Sequence, residues 1–277
     1  MEPWIIDTFG SVEALVQVTL AAVVGGVVGV HVVLRRLPFL VMGLTHATFP
    51  GLVLAGLAGV NLMAGALVFG LVVVAAIVGL GATDQVESSS AIGVVLAAGF
   101  ALGVVLVSAS DGFTRNVSAY LVGSVATVSP SDVVITAVVA AVILATLALF
   151  HKELVLSAFD PGALAALGYR VLLVDLILMA SIEIAVVTTL PAMGTVLCVS
   201  LLVAPAAAAR QWSDDLVTTM ALAAGIGVVS GATGLALSVA AHTSAGATVA
   251  LVAAAIFVAS VAARAARATR LTNRFAG

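Results

Sequence analysis

Only 8% of the 277 residues are charged and four are histidines, so a polar side chain inside an apolar run stands out. Glu183, in MASIEIAVVTT, is the sharpest case, because it falls in the middle of such a run. A carboxylate at the centre of a bilayer costs about 2.5–3.5 kcal/mol, so it must be protonated, paired or facing a wet cavity. Function is the default reading of such a residue, with a structural buried hydrogen bond as the equal alternative. His46, in GLTHATFPG, comes just before Pro50 and Gly51, which loosen whatever helix carries it. His242, in SVAAHTSAGATVAL, falls between the last two apolar runs. Neutral imidazole and carboxylate are ordinary ligands of zinc and manganese, so His46, Glu183 and His242 are the residues whose side chains could bind a metal. The plainer readings are a histidine hydrogen-bonded to a neighbouring helix for His46 and an exposed loop residue for His242.

The elements that must position these residues are membrane helices. The chain is 63% hydrophobic, whereas a soluble domain carries roughly 25% charged residues and about half apolar ones. Apolar runs lie at about 11–33, 41–59, 62–82, 91–108, 133–151, 171–190, 193–209, 216–240 and 247–264. Runs of this length are helices when they cross a bilayer, since the backbone must satisfy itself there. Pro50 and Pro205 interrupt two of them. The expected fold is therefore all-α, a polytopic bundle of about eight or nine transmembrane helices forming a single membrane domain over 1–277. Glu2, Asp7 and Glu13 precede any Lys or Arg, so the first run reads as a retained span rather than a cleaved signal. Cys198 lies inside an apolar run and reads as packing.

Placing the amino terminus outside puts Arg35, Arg36, Lys152, Arg170, Arg210 and the four arginines from Arg264 to Arg274 on the cytoplasmic side. Only Arg115 then lies outside. The carboxyl terminus is expected in the cytoplasm, and so is the stretch LSAFDPGALAALG, residues 156–168. Asp160 suits a helix N-cap, Pro161 the first helical position and Gly168 the stop. Ala163, Ala165 and Ala166 keep this helix slim, while Leu164 and Leu167 supply apolar contact. Such a piece is shaped to enter another protein's groove, although an ordinary capped loop reads the same way.

SAFDPGALAALGYRV resembles the cytoplasmic coupling helix of the zinc/manganese/iron (ABC-3 type) family of ABC transporter permeases. Four other stretches are similar to that family in the same order. They are HVVLRRLPFLVMGLTHATFPG, AIGVVLAAGFALGVVLVS, AYLVGSVATVSPSDV and GTVLCVSLLVAPAAAARQW. The resemblance implies the permease subunit of an ATP-driven metal importer, not itself an enzyme, in a bacterial plasma membrane. It implies a coupling segment at about 158–168, with Phe159, Asp160, Pro161, Leu164, Ala165, Leu167 and Gly168 meeting the ATPase. The implied partners are two cytoplasmic ABC ATPase subunits, a second permease copy or paralogue, an extracytoplasmic metal-binding protein and membrane lipid, with no nucleic acid. Zn²⁺ or Mn²⁺ would be transported substrate, and no cofactor is implied for this chain. The family's acid one turn before the histidine is Met42 here, and Glu183 is a candidate replacement. Relatives often carry an aspartate in place of His242.

An independent absence agrees. The only lysine, Lys152 in LFHKELV, has none of the glycines of a phosphate-binding P-loop, so ATP is not bound in that way. One rival is an ATP-independent metal carrier or channel, for which inverted repeats would be usual and none is visible. Another is an intramembrane serine protease, suggested by GVVSGA around Ser230 with His242 nearby.

Overall fold

A computed structural model of the chain describes residues 8–81, 88–109 and 128–275, and every regular element among them is helical. In chain order these are α1 (Val12–Leu34), α2 (Pro38–Ala47), α3 (Phe49–Ala58), α4 (Leu62–Gly81), α5 (Ser88–Ser108) and α6 (Pro130–Leu149). They are followed by α7 (His151–Phe159), α8 (Pro161–Ala166), α9 (Val171–Ala209), α10 (Leu216–Ala241) and α11 (Ala245–Phe275). Most of the outer-loop motif AYLVGSVATVSPSDV lies outside the described residues, as does Arg115.

Seven stretches among the described residues are long and apolar enough to cross a membrane. Two more apolar helices, Ile92–Ser108 and Met193–Ala209, are shorter. All nine expected runs are therefore helical. Helices α2 and α3 together make one such stretch, Pro38–Ala58, broken only by a turn at Thr48 two residues before Pro50. The runs at 171–190 and 193–209 join as the single element α9, and its break falls at Gly194 rather than at Pro205. Gly194 has φ 73° and ψ 169°, a conformation essentially closed to residues with a Cβ. Pro205 continues inside the helix, as proline can in a membrane segment where neighbouring groups re-satisfy the freed carbonyl.

The chain packs as two compact units that interleave in sequence. The first comprises Met1–Val33, Val122–Ala137 and Ala192–Gly277. Its core joins Val18 and Ala22 of α1 to Leu197 and Leu201 of α9, Leu235 of α10 and Val249 of α11. Small residues set the spacing: a Cβ on Gly26 would meet the backbone of Ala224, and one on Gly29 the carbonyl of Leu202. Without a hydrophobic drive between helices in lipid, such close backbone approach is what van der Waals packing needs. A capping box starts α6, where the Ser129 backbone N–H donates to Asp132 Oδ2 at 2.9 Å. In the sequence Ser129-Pro130-Ser131-Asp132 already carries the parts of such a start, an N-cap, a first-turn proline and an early acid. Helix α10 is capped by Asp215, whose carboxylate accepts from the Thr218 backbone N–H at 2.8 Å. Hydrogen bonding to Thr218 holds that carboxyl below its ordinary pKa. Arg267, near the end of α11, stacks its guanidinium 4.4 Å from the centre of the Trp212 ring.

The second unit comprises Leu34–Leu121 and Val138–Pro191. Here α2, α3, α4 and α5 pack on one another, and Leu52, Ala66 and Val187 form a buried cluster. Helices α3 and α4 meet glycine to glycine, since a Cβ on Gly51 would overlap the Gly65 carbonyl. All the candidate metal and coupling residues except His242 belong to this unit.

Candidate coupling surface and metal-path residues

The stretch after α6 is not one loop but two short helices. Phe150 ends α6, and α7 buries Leu154 and Ser157 on one face. Asp160 then serves both helices. Its backbone N–H donates to Leu156 O at 2.8 Å, closing α7, while its Oδ1 accepts from the Ala163 N–H at 2.8 Å, opening α8. Asp160 leaves the helical region at φ −148° and ψ 86°, as an N-cap does, and Pro161 takes the first position of α8. At the other end Gly168 adopts φ +86°, and the Tyr169 N–H returns to Leu164 O at 3.3 Å. This is the left-handed glycine stop expected of the sequence.

The six-residue α8 packs against α7. Leu164 was expected among the residues that contact a partner, but it is fully buried. Its position on the inner side of a single-sided helix makes it the anchor of α8 to its own chain. What remains outside is apolar: Phe159 is 71% exposed, Leu167 67% and Tyr169 49%. Pro161, Ala165, Ala166 and Gly168 are exposed beside them. Helix α7 and the exposed Tyr169 escaped the sequence reading. The α7 signal, Leu154 and Ser157 three apart on one face, is short and sits among polar residues.

Beneath these helices lies a polar junction, also not foreseen. The Arg35 guanidinium forms an ion pair with Asp175 on α9, Nη1 to Oδ1. Its Nη2 donates to the Leu154 carbonyl of α7 at 3.2 Å. Ser157 Oγ, one turn further along α7, donates to the same Asp175 oxygen at 3.3 Å. Asp175 lies in the second turn of α9, so this pair ties the start of that helix to the turn after α1.

Glu183 is fully buried on α9, and among the described residues neither carboxylate oxygen has a hydrogen-bond partner. It lies against Gly70 of α4, where a Cβ would overlap Glu183 Oε1. Gly70 is thus the residue that makes room for the acid, a role invisible in a chain with 26 glycines. His46 is half-buried on the last turn of α2, with its ring edge-on to Phe100 of α5 at 5.8 Å between centroids. Met42, one turn earlier, is exposed. His242 lies in the first unit as the exposed C-cap of α10, at φ +52°. Among the described residues no three of His, Cys, Asp and Glu lie together as a metal-binding group.

The protease reading fails on geometry. Ser230 is buried, and its hydroxyl donates to the Ile226 carbonyl at 2.7 Å. His242 lies twelve residues further along the same helix, about 18 Å away at 1.5 Å per residue.

Residues 11–264 match the ABC 3 transport family. The chain belongs to that family. Its relatives include the manganese transport system membrane protein MntC of Halalkalibacterium halodurans, 33% identical over 245 residues that cover 88% of this chain and 84% of that protein. The zinc transport system membrane protein TroC of Treponema pallidum is 35% identical over 222 residues, covering 77% of this chain and 74% of the relative. Among solved structures, PsaBC from Streptococcus pneumoniae in complex with Fab superposes with a TM-score of 0.80 at 28% identity, covering 94% of this chain and 95% of that one. This family member is therefore a membrane permease, and its helices are those of a transport subunit.

Proposed function

We propose that this ABC-3 family chain is the membrane permease subunit of an ATP-driven importer for a divalent transition metal. The match over residues 11–264 supports this reading most strongly. The cargo is Zn²⁺ or Mn²⁺, the cations of the named relatives, with Fe²⁺ a third ion of the same ligand chemistry. In this reading the whole chain is one transmembrane permease domain of eight or nine spans. Its amino terminus is outside and its carboxyl terminus cytoplasmic, in a bacterial inner membrane, as the arginine distribution supports.

The segment at about 158–168 is the coupling helix for two cytoplasmic ATPase subunits, which supply the hydrolysis that this chain lacks. A second permease, identical or paralogous, completes the pathway, and an outer metal-binding protein delivers the ion. His46, Glu183 and His242 are the residues we assign to the metal path. A carboxylate buried without a partner is a costly feature, and a passing cation would relieve the cost. The ATP-independent carrier reading leaves the exposed apolar surface of Phe159, Leu167 and Tyr169 without a purpose.

Metal accumulation in a strain lacking the gene tests the function directly. Loss of energised Zn²⁺ or Mn²⁺ uptake, restored by the gene only when its ATPase partner is present, is the expected result. Uptake restored by this chain alone would return it to the carriers.

A further inference from the structure

The junction beneath the coupling segment points to how that segment acts. Arg35 follows the last residue of α1, and Arg36 takes the left-handed conformation at φ +58°. That turn leaves Arg36 exposed while the Arg35 side chain is only 10% exposed. From there one guanidinium reaches two helices, α9 through Asp175 and α7 through the Leu154 carbonyl. Ser157 closes the loop by joining α7 to the same Asp175 oxygen. Polar contacts rather than continuous packing carry this tie on one side, because Arg35 and Asp175 line a cavity of about 480 Å³ with Leu37, Ile77, Leu172 and Met179.

The tie matters because of what hangs from α7. Asp160 is the single residue between α7 and α8, and it caps both, so the two helices are joined directly with no linker between them. The other end of the tie is the second turn of α9. Glu183 is eight residues further along that helix, about 12 Å at 1.5 Å per residue.

We infer that Arg35 is a positioning residue that makes α7–α8 and the foot of α9 one mechanical body, delivering displacement of the coupling helix to the helix that carries Glu183. The inference rests on the importer reading above and adds the route by which work enters the membrane domain. A guanidinium suits the role because its rigid fork donates in two directions at once, to a carboxylate and to a backbone carbonyl. Asp175 holds the guanidinium in place, and the bond to Leu154 O is the grip on the coupling element.

The experiment uses the complete transporter, this chain with its ATPase, in liposomes, and measures Mn²⁺ or Zn²⁺ taken up per ATP hydrolysed. The exchange R35D/D175R keeps an ion pair but removes both grips on α7, the donor to Leu154 O and the carboxylate that accepts from Ser157 Oγ. It should assemble with the ATPase and hydrolyse ATP, while uptake per ATP falls by about tenfold, an ordinary size for coupling between sites. R35K, whose ammonium can reach either acceptor, should fall between that variant and the parent. A purely structural pair would respond differently, with the exchange restoring everything that the single variants lose. An exchanged transporter with the parental ratio overturns the inference. Should the exchange not assemble, R35K decides alone, a lowered ratio supporting the inference and an unchanged one overturning it. A parental complex with no ATP-dependent uptake would sink the importer reading, and this inference with it. An unchanged ratio beside a working parent sinks only the role of Arg35.

Discussion

The coupling segment and the surroundings of Glu183 solve opposite problems. Around α8 every feature is local: Asp160 caps one end, Gly168 stops the other, and Phe159, Leu167 and Tyr169 present apolar surface outward. Around Glu183 nothing is local. A carboxylate on α9 lies against a glycine on α4 more than a hundred residues away, and its oxygens find no donor among the described residues. The polar group that stabilises its element is satisfied, and the one left unsatisfied does nothing for the element that carries it. Free energy left uncompensated in this way marks where a chain has kept a group for something other than folding.

The largest effect should come from closing the space over Glu183. Gly70→Ala puts a methyl where Oε1 lies, so the carboxyl must move. We expect metal uptake to fall by at least about tenfold, the size of one lost charged contact. Glu183→Gln, with the same shape and no charge, should lower uptake equally while leaving expression intact or improved. The two changes share one target, so a double-mutant cycle on uptake should show strong coupling, the second substitution adding little to the first. Additive losses would mean that Gly70 matters for helix packing and Glu183 for something else. Normal uptake by Glu183→Gln would place the acid among structural residues.

The coupling helix should give an intermediate effect. A helix of six residues is far too short to hold itself, so it depends on its cap and its anchor on α7. Asp160→Ala removes the bond to the Ala163 N–H and should cost about 1 kcal/mol, or about fivefold in affinity for the ATPase. Gly168→Leu asks a branched side chain to take φ +86° and should cost about 1–2 kcal/mol. Co-purification of the ATPase reads both, with membrane insertion as the control. Equal recovery of the ATPase from both variants and the parent would separate this surface from ATPase docking. It would leave the contrast with Glu183 without its functional half.

These contrasts follow what could be read from the chain. Helix α8 was legible because cap, proline and glycine stop are neighbours in sequence, and so was the start of α6 at Ser129 and Asp132. The apolar runs declared themselves by length. Gly70 was not legible, because its role is set by a side chain on another helix and one glycine in an apolar run looks like the next. Arg35 was visible as a charge near a span end, but its pairing with Asp175 needs the fold to bring the turn that holds Arg35, α7 and the start of α9 together. The break at Gly194 falls where the runs at 171–190 and 193–209 meet, whereas Pro205, expected to interrupt the second run, leaves it helical. Proline disturbs a helix according to what surrounds it, whereas the φ of Gly194 is a conformation that the chain adopts only in context. Leu164 was expected to face a partner and instead is buried, because which side of so short a helix faces inward depends on α7, an element the composition hid.

His242 offers the smallest effect and the finest distinction. It ends α10 in the left-handed conformation, at φ +52°, where glycine is the usual residue and any side chain costs about 1–2 kcal/mol. The exposed ring has no structural need to be there. His242→Gly should therefore raise the thermal midpoint of the purified permease slightly, by relief of that strain alone. If the imidazole also serves the mouth of the path, uptake at limiting metal should fall while uptake at saturating metal is retained, since an entry ligand raises local metal occupancy without changing the transport step. The two measurements move in opposite directions only for a residue kept for chemistry against its conformational preference, which is the logic that sets Glu183 apart from α8. A stabilised permease with unchanged uptake at every metal concentration would make His242 a helix end and nothing more, and would confine the metal path to the unit that holds His46 and Glu183.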